Sequence, residues 1–248
     1  ICAAMVISLC AAGHLSATEN NPNNDNKFME ENLNLIQEWD KTFPQSDKVD
    51  HKKITFHNRY GITLAADLYV PKNVTGKLPA IAISGPFGAV KEQASGLYAQ
   101  TLAERGFLTI AFDPSYTGES SGQPRYVASP DINTEDFSAA VDYLSTRDDV
   151  DAERIGILGI CGWGGMALNA AAIDTRIKAT VTATMYDMSR VNANGYFDSM
   201  NADARHELRR QLNAQRTEDY RNGTFALGGG VVDPLPADAP QFVKDYHA

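Results

Sequence analysis

Four short, nearly unbroken apolar runs punctuate the chain: Pro79–Gly85 (PAIAISG), Phe107–Asp113 (FLTIAFD), Arg154–Ile160 (RIGILGI) and Ile177–Thr184 (IKATVTAT). Strands covered on both faces read this way, because neither face needs polar residues for water. Helix-like segments separate the runs, around Leu97–Arg105, Asp136–Ser145 and Gly164–Ile173. The alternation predicts an α/β fold with a mostly parallel central sheet and helices on both faces. Upstream, HKKITFHN and ITLAADLYVPK alternate apolar with polar, and Asn58–Gly61 between them carries turn residues. These predict an antiparallel hairpin at one edge of the sheet. Earlier still, Phe28, Leu33, Leu35, Ile36 and Trp39 recur at helical spacing within Lys27–Lys41, which predicts an amphipathic helix against the body. After Tyr186 the pattern turns helical and polar (MNADARHELRRQLNAQRTEDYR), followed by Gly228–Gly230 and a Pro-rich stretch. The expected organisation is therefore a helical extension over 18–50, a core over 51–186 and a helical cap or lid over 187–248.

Residues 1–17 form an apolar run of signal-peptide length that ends in small residues, with Ala17 as the cleavage point. This predicts export to the periplasm or beyond. The run is too short to span a bilayer, and Ile1 before Cys2 and Leu9 before Cys10 do not fit a lipoprotein signal. Cleavage would remove Cys2 and Cys10 and leave Cys161 as the mature protein's single thiol. Such a thiol cannot form an internal disulfide, so it is either buried and inert or kept for its reactivity.

The formal net charge of -9 argues against nucleic acid or an anionic membrane as partner, since phosphates would be repelled. A small-molecule substrate is expected instead. The sequence has no Cys/His cluster with metal-ligand spacing, and no metal or organic cofactor is expected.

The chemistry concentrates in Arg154–Ala172 (RIGILGICGWGGMALNAAA). A strand runs into Gly159-Ile160-Cys161-Gly162-Trp163-Gly164-Gly165 and then into an Ala-rich helix, which is the context of a nucleophile elbow. Small residues on either side of Cys161 permit a sharp turn. The sulfur would then stand near a helix N-terminus, where the dipole favours a thiolate. Gly162 would offer its backbone N–H to an oxyanion. On the residues alone a second reading stays open, in which the glycines allow tight packing and Cys161 is a small buried hydrophobe.

With these residues in place, the stretch GPFGAVKEQASGLYAQTLAERGFLTIAFDPSYTGESSGQPR followed by GICGWGG resembles the α/β-hydrolase superfamily. Within it, the chain is similar to the bacterial branch related to dienelactone hydrolase and Xaa-Pro dipeptidyl-peptidase-like hydrolases. The resemblance covers Ile54–Thr184. It implies that Gly85-Pro86-Phe87-Gly88 is the oxyanion loop; Pro86 lacks an N–H, which leaves Phe87 as the second donor with Gly88 behind it. It also implies that Asp113–Ser120 is a loop whose side-chain oxygens cap nearby amides, with no catalytic part for Asp113 or Ser120. Tyr116 and Trp163 are candidate pocket residues, each with packing as the competing role. Dienelactone hydrolase itself carries a Glu on the oxyanion side where this chain has Gly85, so its lactone substrate does not carry over.

The resemblance further implies a carboxylate and then a histidine after the nucleophile. Only His206, in the polar helical stretch, and His247, the penultimate residue, follow Cys161. His51 and His57 are expected on the surface of an early strand, and Asp187 is a fallback acid. The expectation is that the chain is truncated at both ends and that the missing pair lies beyond residue 248. Two functions follow: an exported hydrolase of esters, thioesters or activated amides acting through an acyl-cysteine, or a non-catalytic hydrolase-fold protein that binds a small ligand or partner under its cap.

Overall fold

The computed structural model describes residues 31–228, together with 237, 238 and 241. The predicted signal run, the first turn of the predicted N-terminal helix, most of the Pro-rich stretch and His247 lie outside the described residues. The hairpin forms from β1 (Val49–His57) and β2 (Thr63–Pro71). Its turn is built by Asn58, whose side-chain Oδ1 accepts the N–H groups of Tyr60 and Ile62. The four apolar runs are β3 (Leu78–Ser84), β4 (Leu108–Phe112), β5 (Val150–Ile160) and β6 (Ile177–Ala183). Helices α1 (Ala94–Ala103), α2 (Pro130–Ser145) and α3 (Trp163–Ile173) connect them.

The sheet order is β1-β2-β4-β3-β5-β6. β2 pairs antiparallel with both β1 and β4, and β4, β3, β5 and β6 run parallel. Side chains alternate between two apolar layers. Ile110, Phe112, Ile155 and Ile157 face the layer of α2 and α3, whereas Ala111, Leu158 and Ile160 join Ile83, Ala99 and Ala103 beneath α1. In the first layer Phe112 meets Phe137 edge-on at 5.2 Å, and Phe56 stacks on Tyr143 at 5.7 Å, so α2 is clamped to β4 and β1. Aromatic pairs in these geometries add to the burial of their surfaces.

Beyond β6, α4 (Met188–Asn194), a short 3₁₀ turn at Tyr196–Asp198 and α5 (Ala202–Asn222) follow. Asn201 caps α5 by accepting the Ala204 N–H, and Gly223 ends it in the left-handed conformation. Among the described residues no helix is long and apolar enough to cross a membrane.

Two expectations need correction. Residues 31–41 form no helix; they run as an irregular arm whose Ile36 N–H donates to Glu119 Oε1 and whose Lys41 reaches Asp67. Its last residues make contacts with the body. Asp40 and Lys41, adjacent in sequence, both reach buried charges, and the Thr42 N–H donates to the Glu92 carbonyl. Tertiary contacts thus override local periodicity. His51 is also not a free surface group: its Nε2 lies 2.8 Å from Asp67 Oδ1, a fully buried carboxylate, and its ring packs between Trp39 and Tyr69. His57, likewise, is half-buried.

Candidate active site

Cys161 opens the two-residue turn, Cys161-Gly162, between β5 and α3 with φ +56°, a left-handed conformation that costs a side-chain-bearing residue about 1–2 kcal/mol. Surrounding structure holds it there. Its N–H donates to Ala183 O at 2.9 Å, and its own carbonyl accepts from Gly164 N at 3.1 Å and Tyr186 N at 3.2 Å. The thiol-bearing residue is half-buried, neither sealed in the core nor fully open.

The glycines around it are required by close approach. A Cβ on Gly159 would overlap the Trp163 carbonyl and come within 2.8 Å of Gly164 Cα, so α3 packs directly on the end of β5. On Gly162 it would overlap the Phe87 ring and stand 2.9 Å from Met188 Cγ. On Gly85, itself at φ +107°, it would overlap the Ile160 carbonyl. The loop after β3 is therefore pressed backbone to backbone against the elbow, with α4 beginning beside both. Gly162 is the N-cap of α3, where the first N–H groups of a helix lack intrahelical acceptors.

Phe87 sits in this loop with its ring edge-on to Trp163, centroids 4.6 Å apart. Gly88 lies at the exposed tip with φ +75°. Trp163 is 3% exposed and belongs to the core, and among the described residues its indole N–H has no acceptor. Tyr116 also lies in that core, its ring against Gly122, and burial pushes its hydroxyl pKa up. Both side chains are packing elements in this structure.

The loop after β4 does what the sequence suggested. Asp113 Oδ1 accepts the Lys91 N–H at 2.8 Å and Oδ2 the Glu119 N–H at 2.9 Å, while Ser120 Oγ accepts from Ala65 N and donates to Asp113 O. Sequence reasoning missed what surrounds it. Lys91 Nζ, fully buried, lies 2.9 Å from Asp113, 2.6 Å from Glu119 and 2.6 Å from Glu92. Lys53 Nζ bridges Glu119 (2.8 Å), Asp40 (2.9 Å) and Glu92 (3.4 Å), and Lys41 Nζ lies 3.1 Å from Asp67. Burial works against the Lys91 charge, but Asp113 and Glu92 outweigh it and raise its pKa. Burial pushes Asp113 up against the opposing pull of Lys91. Glu92, Asp113 and Glu119 could together hold a metal ion, but they already enclose the Lys91 ammonium. One signal was available: Asp67 interrupts an apolar strand, and the hairpin register sets Lys53 directly opposite it.

The described histidines lie elsewhere. His51 is engaged with Asp67, His57 is on β1 at the far edge of the sheet from β5, and His206 is exposed on α5. Asp187, the fallback acid, caps α4: its carboxylate accepts from Ser189 Oγ and Arg190 N, which hold its pKa below the usual range. That role leaves it facing its own helix rather than a histidine.

Comparison with known proteins matches residues 60–226 to the family described as X-Pro dipeptidyl-peptidase (S15 family). PA2218 of Pseudomonas aeruginosa is 60% identical over 99% of this chain and 65% of its own length. Its crystal structure superposes with a TM-score of 0.84 and 64% identity, covering 88% of this chain and 68% of that one. YcjY of Escherichia coli is 43% identical over 71% of this chain and 59% of its own length. A protein named thiohydrolase aneE, from Aspergillus aculeatus, is 29% identical over 55% of this chain and 42% of its own length. The chain thus spans less than two thirds of the length of these curated relatives.

Proposed function

The chain belongs to the X-Pro dipeptidyl-peptidase (S15) family within the α/β-hydrolase fold, and from that premise we propose that it is a hydrolase of carboxylic esters or thioesters acting through an acyl-cysteine. The observation that carries the proposal is Cys161 at φ +56° between β5 and α3, with the Gly162 amide and the Phe87 loop against it.

The Cys161 thiolate attacks the carbonyl carbon, and the developing oxyanion is met by the N–H groups of Gly162 and Phe87, with Gly88 behind. Collapse breaks the bond to the leaving alcohol or thiol, which takes up a proton. Water then cleaves the acyl-cysteine to release the acid and restore the thiol. The mechanism requires a histidine base held by a carboxylate, and none of the described histidines stands at Cys161. The thioester assignment draws on the relative named a thiohydrolase. The helical segment from Asp187 serves as the lid, since α4 starts beside Gly162. Export through residues 1–17 completes the proposal, and the N-terminal mass of the mature protein tests it.

The deciding experiment uses the full-length protein. It should turn over p-nitrophenyl or thioester substrates and leave an acyl adduct on the Cys161 peptide by mass spectrometry. Cys161→Ala should abolish both while thermal unfolding stays cooperative. Turnover that survives in Cys161→Ala overturns the mechanism. A Cys161 that resists alkylation, in a protein without turnover, would favour the ligand-binding reading instead.

A further inference from the structure

The buried Lys91 ammonium, paired with Asp113, stands at the end of the loop that bears Phe87. That loop leaves the sheet at Ser84, whose Oγ donates to Phe112 O at 3.0 Å. It ends at Lys91, whose backbone N–H donates to Asp113 Oδ1 at 2.8 Å and whose Nζ donates to Asp113 Oδ2 at 2.9 Å. Both ends of the segment 85–90 are therefore tied to consecutive residues at the end of β4. Asp113 is itself immobilised, with its N–H donated to Ala65 O at 2.9 Å and its carbonyl accepting Ser120 Oγ at 2.7 Å. Between the two ties Ala89 N donates to Pro86 O at 3.1 Å, and at the far end Val90 is held by Gln93, whose N–H donates to Val90 O at 3.1 Å and whose Oε1 accepts the Val90 N–H at 3.3 Å.

We infer that Lys91 and Asp113 are positioning residues that fix the direction of the Phe87 N–H by anchoring the far end of its loop. The inference rests on the acyl-cysteine reading for its catalytic consequence, but not for the tether itself. A buried ion cluster is a poor way to gain stability, since desolvation offsets most of the attraction. It does favour one geometry, because the buried ammonium is held at once by Asp113, Glu119 and Glu92. Oxyanion donors need that constraint. They act at hydrogen-bond distance from an atom that exists only in the transition state, and a displacement of about 1 Å can cost on the order of a hundredfold.

The test compares Lys91→Met and Asp113→Asn with Asp40→Asn in the full-length protein. Asp40 touches the same cluster through Lys53 but makes no bond to the loop. Amide exchange should accelerate at least about tenfold across 86–90 in the first two variants, with 161–165 unchanged. With p-nitrophenyl acetate, kcat should fall at least about tenfold while KM stays within about twofold. Iodoacetamide should alkylate Cys161 at the unmutated rate, because that displacement develops no oxyanion. Asp40→Asn should leave all three readings in place. If Lys91→Met does not fold, Asp113→Asn, which keeps an acceptor for the Lys91 amide, carries the same readings. Unchanged exchange over 86–90, or kcat and alkylation falling together, overturns the inference. Faster loop exchange in a protein whose unmutated form hydrolyses no ester supports the tether and removes the hydrolase reading alone.

Discussion

The ring of Phe87 fills the space that a side chain on Gly162 would need, so the two residues proposed to supply the oxyanion donors are in direct contact. Phe87 cannot swing aside freely, because its other flank meets Trp163, which is 3% exposed. Gly162→Ala should therefore displace the loop rather than the ring. The expected outcome is a fall in kcat on the order of 10²-fold, the loss typical of one oxyanion donor, with cooperative unfolding retained. Steady-state kinetics on the full-length protein beside a thermal melt would check it, and unaltered kcat would separate Phe87 from the chemistry.

The elbow conformation makes a prediction about stability that is independent of activity. At φ +56°, Cys161 carries left-handed strain of about 1–2 kcal/mol. Glycine relieves it but gains about 0.4–1 kcal/mol of unfolded-chain entropy against folding. Cys161→Gly should thus be more stable than Cys161→Ala by roughly 0.5–1 kcal/mol, with neither variant active. Paired denaturant titrations measure the difference; a glycine variant less stable than the alanine one would mean that the turn is not strained.

Asp136, in the second turn of α2, ties three segments together. Fully buried, it accepts from Asn58 Nδ2 (2.8 Å), from the Ser115 N–H and hydroxyl (2.9 and 2.7 Å) and from Asn133 Nδ2 (3.0 Å). Asp136→Ala would strip an acceptor from four buried donors. Each unsatisfied donor costs about 1–3 kcal/mol, partly recovered by relaxation and entering water. A net loss on the order of 3–5 kcal/mol is expected, read as an earlier chemical-denaturation midpoint, and a shift below about 1 kcal/mol would contradict it.

What the sequence disclosed and what it hid follow from how far apart the deciding residues lie. The strands were legible because runs such as Phe107–Asp113 need no distant partner to be recognised. Cys161 was legible because the glycines that its turn requires, Gly159, Gly162 and Gly164, are its neighbours in sequence. The contact of Phe87 with Gly162 was indicated only by resemblance, since the two are far apart in the chain and meet through the β3–β5 pairing. The arm was misread because Leu33, Ile36 and Trp39 have helical spacing, whereas the residues that pair with Asp40 and Lys41 are Lys53 and Asp67, remote in the chain. The Lys91 cluster was hidden for the same reason, with charges drawn from the arm, the hairpin and two loops.

The arm's attachment should respond to acid. Burial alone would raise the Asp40 carboxyl, but hydrogen bonds from Lys41 and Lys53 prevail and bring it from 3.8 down to about 2. Glu119 is lowered in the same way, burial being outweighed by Lys53 and Lys91. A carboxylate with a folded pKa below its unfolded one stabilises the fold at any pH above the unfolded value, and that contribution disappears as pH falls through the folded value. Asp40 should therefore give its full contribution above about pH 4 and lose it toward pH 2, at most about 2 kcal/mol and less after screening. Trp39, edge-on to Phe43 and His51, reports on the arm. In a Trp163→Phe background its emission should shift toward that of solvated indole between pH 4 and 2, before the sheet unfolds by circular dichroism. Asp40→Asn should move that shift to higher pH and flatten it. An arm that stays bound to pH 2 in Asp40→Asn would show that apolar contacts, such as that of Trp39 with Phe43, hold it without the charges.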